Sequence, residues 1–235
     1  MRTVLLVAAE KREFGGLLPR LRKGGRLPWP VDFACSGVLG DRRVLLVANG
    51  PGPKLAAEAV EAALLRASAD AVVSTGYCGA VNTALQVGDI IIASEVISIE
   101  QQTVYRTEAP ECVGQRYCAG PVISQDWVAG TVEEKRRLRE RGGMAVEMEA
   151  AAVAQKAREA GVSFYCVRVV SDGAEEEFAL DLNAMRRADG RFSSARILMA
   201  TLRNPLVLGP ELRRLVRQSR LAALKLGEFL ATCRF

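Results

Sequence analysis

The 235-residue chain contains no histidine, and its six cysteines (Cys35, Cys78, Cys112, Cys118, Cys166 and Cys233) include no CxxC pair. Those absences exclude a zinc site and the Ser-His and Cys-His catalysts. Carboxylates are left as the side chains for acid–base work near neutral pH. Neither a metal nor a cofactor is expected. Aromatic residues make up only 6% of the chain, and no basic run is interleaved with them, so nucleic acid is not an expected partner. The N-terminal apolar run from Val4 to Ala9 is too short for a signal-peptide core or a membrane span, and charges follow it at once. A cytoplasmic protein with reduced thiols and no stable membrane insertion is the expectation.

What is present is ordinary for a globular α/β protein: 49% apolar residues, 25% charged residues and a mild net charge of +5. Thr3 to Ala9 reads as a buried parallel strand, because it is apolar without alternation. Glu10 and Glu13 follow it, and Phe14 to Leu21 begins a helix. Residues 22–31 are turn-rich and expected to be loop. Phe33 to Val38 and Val44 to Val47 are strands joined at Gly40-Asp41. Asn49-Gly-Pro-Gly-Pro-Lys54 then leads into a helix from Leu55 to Ala67, without the Walker pattern of a phosphate loop.

Further strands are expected at Ala71–Thr75, Val87–Ala93 and Ser163–Val170, with another ending in Pro121–Asp126. Residues 100–121 read as irregular, and Val132 to Arg141 as a charged surface helix. Residues 174–194 suggest loop plus a short helix, and Pro205 to Pro210 a break. From 211 to 231, Leu212, Leu215, Val216, Ala222, Leu226, Phe229 and Leu230 mark one helical face, with Arg213, Arg214, Arg217 and Arg220 largely off it. Such a helix can lie on a membrane, but packing on its own domain is the reading adopted here. Strand–helix alternation without linker or repeat predicts a single domain over residues 1–235. The expected architecture is a three-layer α/β/α sandwich with a mixed, mostly parallel central sheet.

The stretch Ala145-Val-Glu-Met-Glu-Ala-Ala-Ala-Val153 is the expected functional centre. Its residue types favour a helix from Glu147 to Ala160. Glu147 and Glu149, two apart on a helix, point in different directions and cannot share a proton. Acidic residues in a first turn also suit the helix dipole with no function at all. Glu13, Glu149 and Asp172 nevertheless fall at strand ends or helix starts that can converge, as ligand sites of open α/β sheets do.

Strand plus Glu13, Asn49-Gly-Pro-Gly-Pro-Lys54, Ser74-Thr-Gly-Tyr-Cys-Gly79 before Val87-Gly-Asp89, Val146-Glu-Met-Glu-Ala150 and Val169-Val-Ser-Asp172 resemble, in order and spacing, the nucleoside phosphorylase superfamily. Within it the chain looks most like the 5′-methylthioadenosine/S-adenosylhomocysteine nucleosidases, over residues 3–175. That resemblance implies cleavage of an N-glycosidic bond in a small-molecule nucleoside. Asp172 would protonate the leaving purine, Glu149 would bind the ribose hydroxyls, Met148 would wall the sugar, and Glu13 would activate water. It also places Tyr77, Cys78, Gly79, Trp127, Val128, Glu147 and Ser171 around the substrate. Tyr77 stands where the nucleosidases carry a serine. Val128 stands where they place a base-stacking phenylalanine, a task its neighbour Trp127 could take.

Both phosphate-binding signatures of the phosphorylase branch are missing, which favours water as nucleophile, although Arg12, Lys54 and Arg168 remain candidates for phosphate. Related bacterial proteins with a longer tail after the Ser-Asp motif include adenosylhopane- and futalosine-cleaving enzymes. A non-catalytic nucleoside-binding relative is a further alternative. The resemblance implies a homo-oligomer, with a dimer favoured.

Overall fold

The computed structural model describes residues 1–235. In chain order the elements are β1 (Thr3–Ala8), β2 (Arg22–Arg26), β3 (Phe33–Leu39), β4 (Arg42–Ala48), α1 (Pro53–Leu64), β5 (Ala71–Ala80), β6 (Ile90–Ser98) and β7 (Thr103–Arg106). There follow β8 (Cys118–Ser124), α2 (Val132–Glu140), β9 (Ala145–Glu147), α3 (Ala150–Glu159), β10 (Ser163–Asp172), α4 (Ser194–Arg203) and α5 (Pro205–Thr232).

All ten strands join one sheet. Its centre is parallel, with β4 beside β1, β1 beside β5 and β5 beside β10, while its margins are antiparallel. Strand β5 also pairs with β9, and β10 with β6, so β5, β10, β6, β8 and β9 close into a ring. Both faces of β1 are covered. Leu5 and Val7 pack with α1 and α3 residues such as Val60 and Val153, whereas Val4 and Leu6 pack with Leu226 and Phe229 of α5. That two-sided burial is why the strand reads as an unbroken apolar run. Each such leucine or phenylalanine contributes about 1.5–3 kcal/mol by leaving water. Helix α5 comes close enough to the N-terminal segment that a β-carbon on Gly227 would lie 2.5 Å from Gly16 Cα.

Several expectations are corrected. Residues 11–20 form two short 3-10 turns, not a helix. Residues 22–26 are an exposed edge strand, paired through backbone that side-chain patterning does not reveal. The irregular stretch 100–121 contains β7 and the start of β8. The break at Pro205–Pro210 is instead the first turns of α5. Pro205 sits at the helix start, where its missing N–H is unneeded, and Pro210 lies one turn inside. Cys112 and Cys233, separated by 121 residues, form a disulfide beside the Glu111–Arg234 bridge, contrary to six reduced thiols. The other four cysteines are free. No helix is long and apolar enough to cross a membrane.

Candidate active site

Parallel pairing of β1, β4, β5 and β10 brings their carboxyl ends to one side of the sheet. A cavity of about 330 Å³ opens there, the place where such sheets bind ligands. Glu13, Tyr77, Cys78, Gly79, Trp127, Val128, Glu147, Met148, Glu149, Ser171 and Asp172 all line it.

Glu13 is fixed by a reciprocal capping arrangement in the turn after β1. Its Oε2 accepts the Glu10 N–H at 2.7 Å and its Oε1 accepts the Tyr77 N–H at 2.9 Å. Burial raises its pKa against the opposing pull of those two backbone donors and of Arg168. The approach requires glycine at residue 76. That residue has φ +130°, and a β-carbon there would lie 3.0 Å from Glu13 Cδ. The Tyr77 phenol is held protonated by burial and by the nearby Glu13 charge.

The helix expected from Glu147 begins only at Ala150, so the Glu147-Met-Glu149 segment is not helical. Glu147 ends β9, and Glu149 is the N-cap residue of α3. Glu147 Oε2 accepts the N–H groups of Glu149 (2.9 Å) and Ala150 (2.8 Å) and is paired with Arg168. These bonds satisfy free donors at the helix start, so sheet closure and capping override helix propensity here. Oε2 of Glu147 is thus occupied by the protein, while its Oε1 is buried without a hydrogen-bond partner. Glu149 differs: Oε1 accepts the Gly52 N–H at 2.9 Å, and Oε2 lies 3.6 Å from Arg168 Nη1. Its pKa is raised, first by burial and then by the neighbouring Glu147 charge.

Arg168 is fully buried. Its guanidinium donates to Thr75 O at 3.1 Å and Ser74 Oγ at 2.6 Å as well as to Glu147. Burial works against its charge, but Glu147, Glu149 and Glu13 overcome that and hold it protonated. It organises carboxylates and does not line the cavity. Lys54 is exposed on α1 and does not reach the cavity either. Arg12 is the one cation among the lining residues, and it is paired with Glu10 at 2.5 Å.

Asp172 follows an irregularity in β10, where Val170 pairs with Cys78 and Asp172 with Gly79, leaving Ser171 extra. Bulges of this kind re-aim side chains next to sites. Asp172 Oδ1 accepts the Ser171 hydroxyl at 2.8 Å, and Oδ2 accepts Lys135 Nζ at 2.7 Å. Burial raises its pKa, while Lys135 pulls the other way.

Lys135 was missed by the sequence reading, which placed α2 on the surface. The lysine is 1% exposed and also donates to the carbonyls of Gly173 (2.7 Å) and Glu176 (3.0 Å). Its signal was available. The Thr131–Glu134 capping box sets the helix start, and Lys135 then shares an inward face with Leu138 at i+3.

Beyond the carboxylates the cavity is apolar. Its lining also includes Phe178, Leu182, Phe192, Ile197, Leu212 and Leu215, all from the chain after β10. Arg186 ties this segment to Asp126 at 2.6 Å, and Arg191 ties it to Asp32 at 3.0 Å. Asn183 exchanges two 2.9 Å hydrogen bonds with the Val128 backbone beside Trp127.

A curated 5′-methylthioadenosine/S-adenosylhomocysteine nucleosidase of Staphylococcus aureus is 27% identical over 175 residues, covering 63% of this chain and 77% of that protein. The S-adenosylhomocysteine nucleosidase of Streptococcus pyogenes, solved with 5-methylthiotubericidin, superposes with a TM-score of 0.75 at 20% identity, over 98% of this chain and 95% of that one. A futalosine hydrolase mutant of Helicobacter pylori gives a TM-score of 0.72 at 15% identity, over 99% and 98%. These solved structures share the fold. The model of the phosphorylase superfamily matches residues 27–119 and 106–203, and the chain belongs to that superfamily.

Proposed function

We propose that the chain is a purine nucleosidase that hydrolyses the N-glycosidic bond of a 5′-substituted adenosine-type nucleoside. The observation that carries this reading is the convergence of Glu13, Glu149 and Asp172 on one cavity. The C1′–N9 bond breaks with its electron pair leaving on the purine, and Asp172 delivers a proton to N7 so that the base departs neutral. A buried carboxyl with a raised pKa can hold that proton. Glu149 accepts hydrogen bonds from the ribose hydroxyls, Met148 packs on the sugar, and the acidic surroundings favour the cationic ribosyl transition state. Water attacks C1′ and yields its proton to Glu13. With both carboxylate oxygens already accepting N–H bonds, Glu13 is aimed and ready as a base.

Water is favoured over phosphate because Arg168 is engaged inside the protein, and the single lining cation, Arg12, is already paired. The apolar walls beyond the sugar suit an apolar 5′-substituent, alkylthio or larger. The enzyme in this reading is cytoplasmic and works as a homo-oligomer. The test is a panel of methylthioadenosine, longer 5′-alkylthioadenosines, adenosylhomocysteine and inosine, each with and without phosphate. Base release without phosphate, rising in kcat/KM with alkyl length, is expected. Release that requires phosphate would make the protein a phosphorylase, and no release from any nucleoside would make it a binding protein.

A further inference from the structure

Helix α4 turns Ile197 to the cavity but leaves other apolar residues outward. Surface helices turn their apolar stripe inward, yet no residue of α4 is buried. Leu198, Met199 and Leu202, which share one side at helical spacing, are 59%, 52% and 65% exposed. The apolar surface continues into the first turn of α5, where Leu206 is 89% and Val207 50% exposed. Leu221 and Leu224, further along α5, also face outward.

The charge of the chain is concentrated on the same two helices. On α4 and α5 lie six arginines and one lysine against two acidic residues, Glu211 and Glu228. Glu211 is buried and accepts the Ala179 N–H at 2.8 Å. The rest of the chain has 25 basic and 25 acidic residues, so the whole positive excess belongs to these two helices. Arg213, Arg217 and Arg220 recur on one exposed side of α5 and line a groove with Leu212 and Val216. Those last two residues also line the apolar end of the active-site cavity. The cavity therefore ends at this same surface.

We propose that α4 and the first half of α5 dock the protein on an anionic lipid bilayer. Leu198, Met199, Leu202, Leu206 and Val207 enter the interface between headgroups and acyl chains, while Arg203, Arg213, Arg217 and Arg220 bind the lipid phosphates. Apolar side chains set among arginines are the pattern of interfacial helices. A second copy of the chain fits this surface poorly. A twofold contact centred on the groove of Arg213, Arg217 and Arg220 would set one arginine cluster against the other. The contact is interfacial and does not span the bilayer, and it orients the apolar end of the cavity toward the lipid.

The test is flotation of the full-length protein with vesicles of phosphatidylglycerol and phosphatidylcholine, and with phosphatidylcholine alone, with the oligomeric state followed by sedimentation velocity. Partition onto the phosphatidylglycerol vesicles is expected, falling with salt. The triple variant Arg213→Gln, Arg217→Gln, Arg220→Gln should bind about a hundredfold more weakly, the size expected for three arginines at an anionic surface. Leu198→Ser, Leu202→Ser, Leu206→Ser should lose binding while keeping its far-UV circular dichroism and its oligomeric state. No partition of the native protein, or native-like partition of both variants, would overturn the proposal. So would dissociation of an oligomer by the serine variant, which would make the face a contact between copies.

Discussion

Lys135 Nζ lies 2.7 Å from Asp172 Oδ2; both residues are buried, and of the two only Asp172 lines the cavity. The pair sets two opposed demands on one carboxyl. Burial favours the protonated form that a general acid needs, and the ammonium favours the ionised form left after the proton has gone. In the proposed mechanism Lys135 positions Asp172 and sets the pH above which the acid is lost.

Removing the ammonium moves that limit. In Lys135→Met the pKa of Asp172 rises, because the opposing ammonium is gone. Activity that needs protonated Asp172 falls as pH rises through that value, so the alkaline limb of the kcat/KM profile should shift upward. Maximal rate should fall as well, because Asp172 loses a partner that holds its orientation. An unshifted limb would show that Asp172 is not the titrating acid.

Substitution of Glu13 by Gln removes the base while retaining acceptance of one backbone N–H. The Glu13→Gln variant should lose about 10²- to 10⁴-fold in kcat, with substrate affinity by equilibrium dialysis little changed. A kcat within threefold of the native enzyme would assign water activation elsewhere.

The buried cluster around Arg168 should dominate stability. Arg168→Met strands Glu147 in the core and should cost about 3–5 kcal/mol in urea unfolding. Arg168→Met combined with Glu147→Gln should recover part of that loss, since the stranded charge is gone. A double variant no more stable than the single one would contradict the charge argument.

Glu149 carries the opposite sign in stability. Its folded pKa is raised above the unfolded value, so its contribution is fully present below the ordinary carboxylate range and is lost as pH rises through the folded value. Glu149→Gln should accordingly be the more stable protein at pH 8 and equal to the native at pH 4. The same substitution should abolish most activity. Chemical denaturation at the two pH values reads the difference.

The layered architecture was legible because two-sided burial leaves apolar runs, unbroken in β1 and interrupted only by Arg168 between Phe164 and Val170 of β10. Edge strand β2 was not legible, since Arg22-Lys-Gly-Gly-Arg26 has no buried side chain to leave a pattern. At the site, the expected residues do line one cavity, but their local structure was misread around Glu147. Helix propensity is a local quantity, and the pairing of β9 with β5 and β8 is not. Lys135 was hidden for a related reason. A lysine among arginines and glutamates looks solvated until the helix face is known, and only the packing of α2 beneath Asp172 shows it to be buried. The Cys112–Cys233 bond joins distant segments that no motif spacing links.

The most direct test of the account is adenine release from methylthioadenosine in phosphate-free buffer, measured side by side for the native protein and Asp172→Asn. Steady release by the native protein and a loss of at least a hundredfold in the asparagine variant are predicted. Equal release by the two proteins, or none by the native protein until phosphate is added, would contradict hydrolysis driven by a carboxylic acid at residue 172.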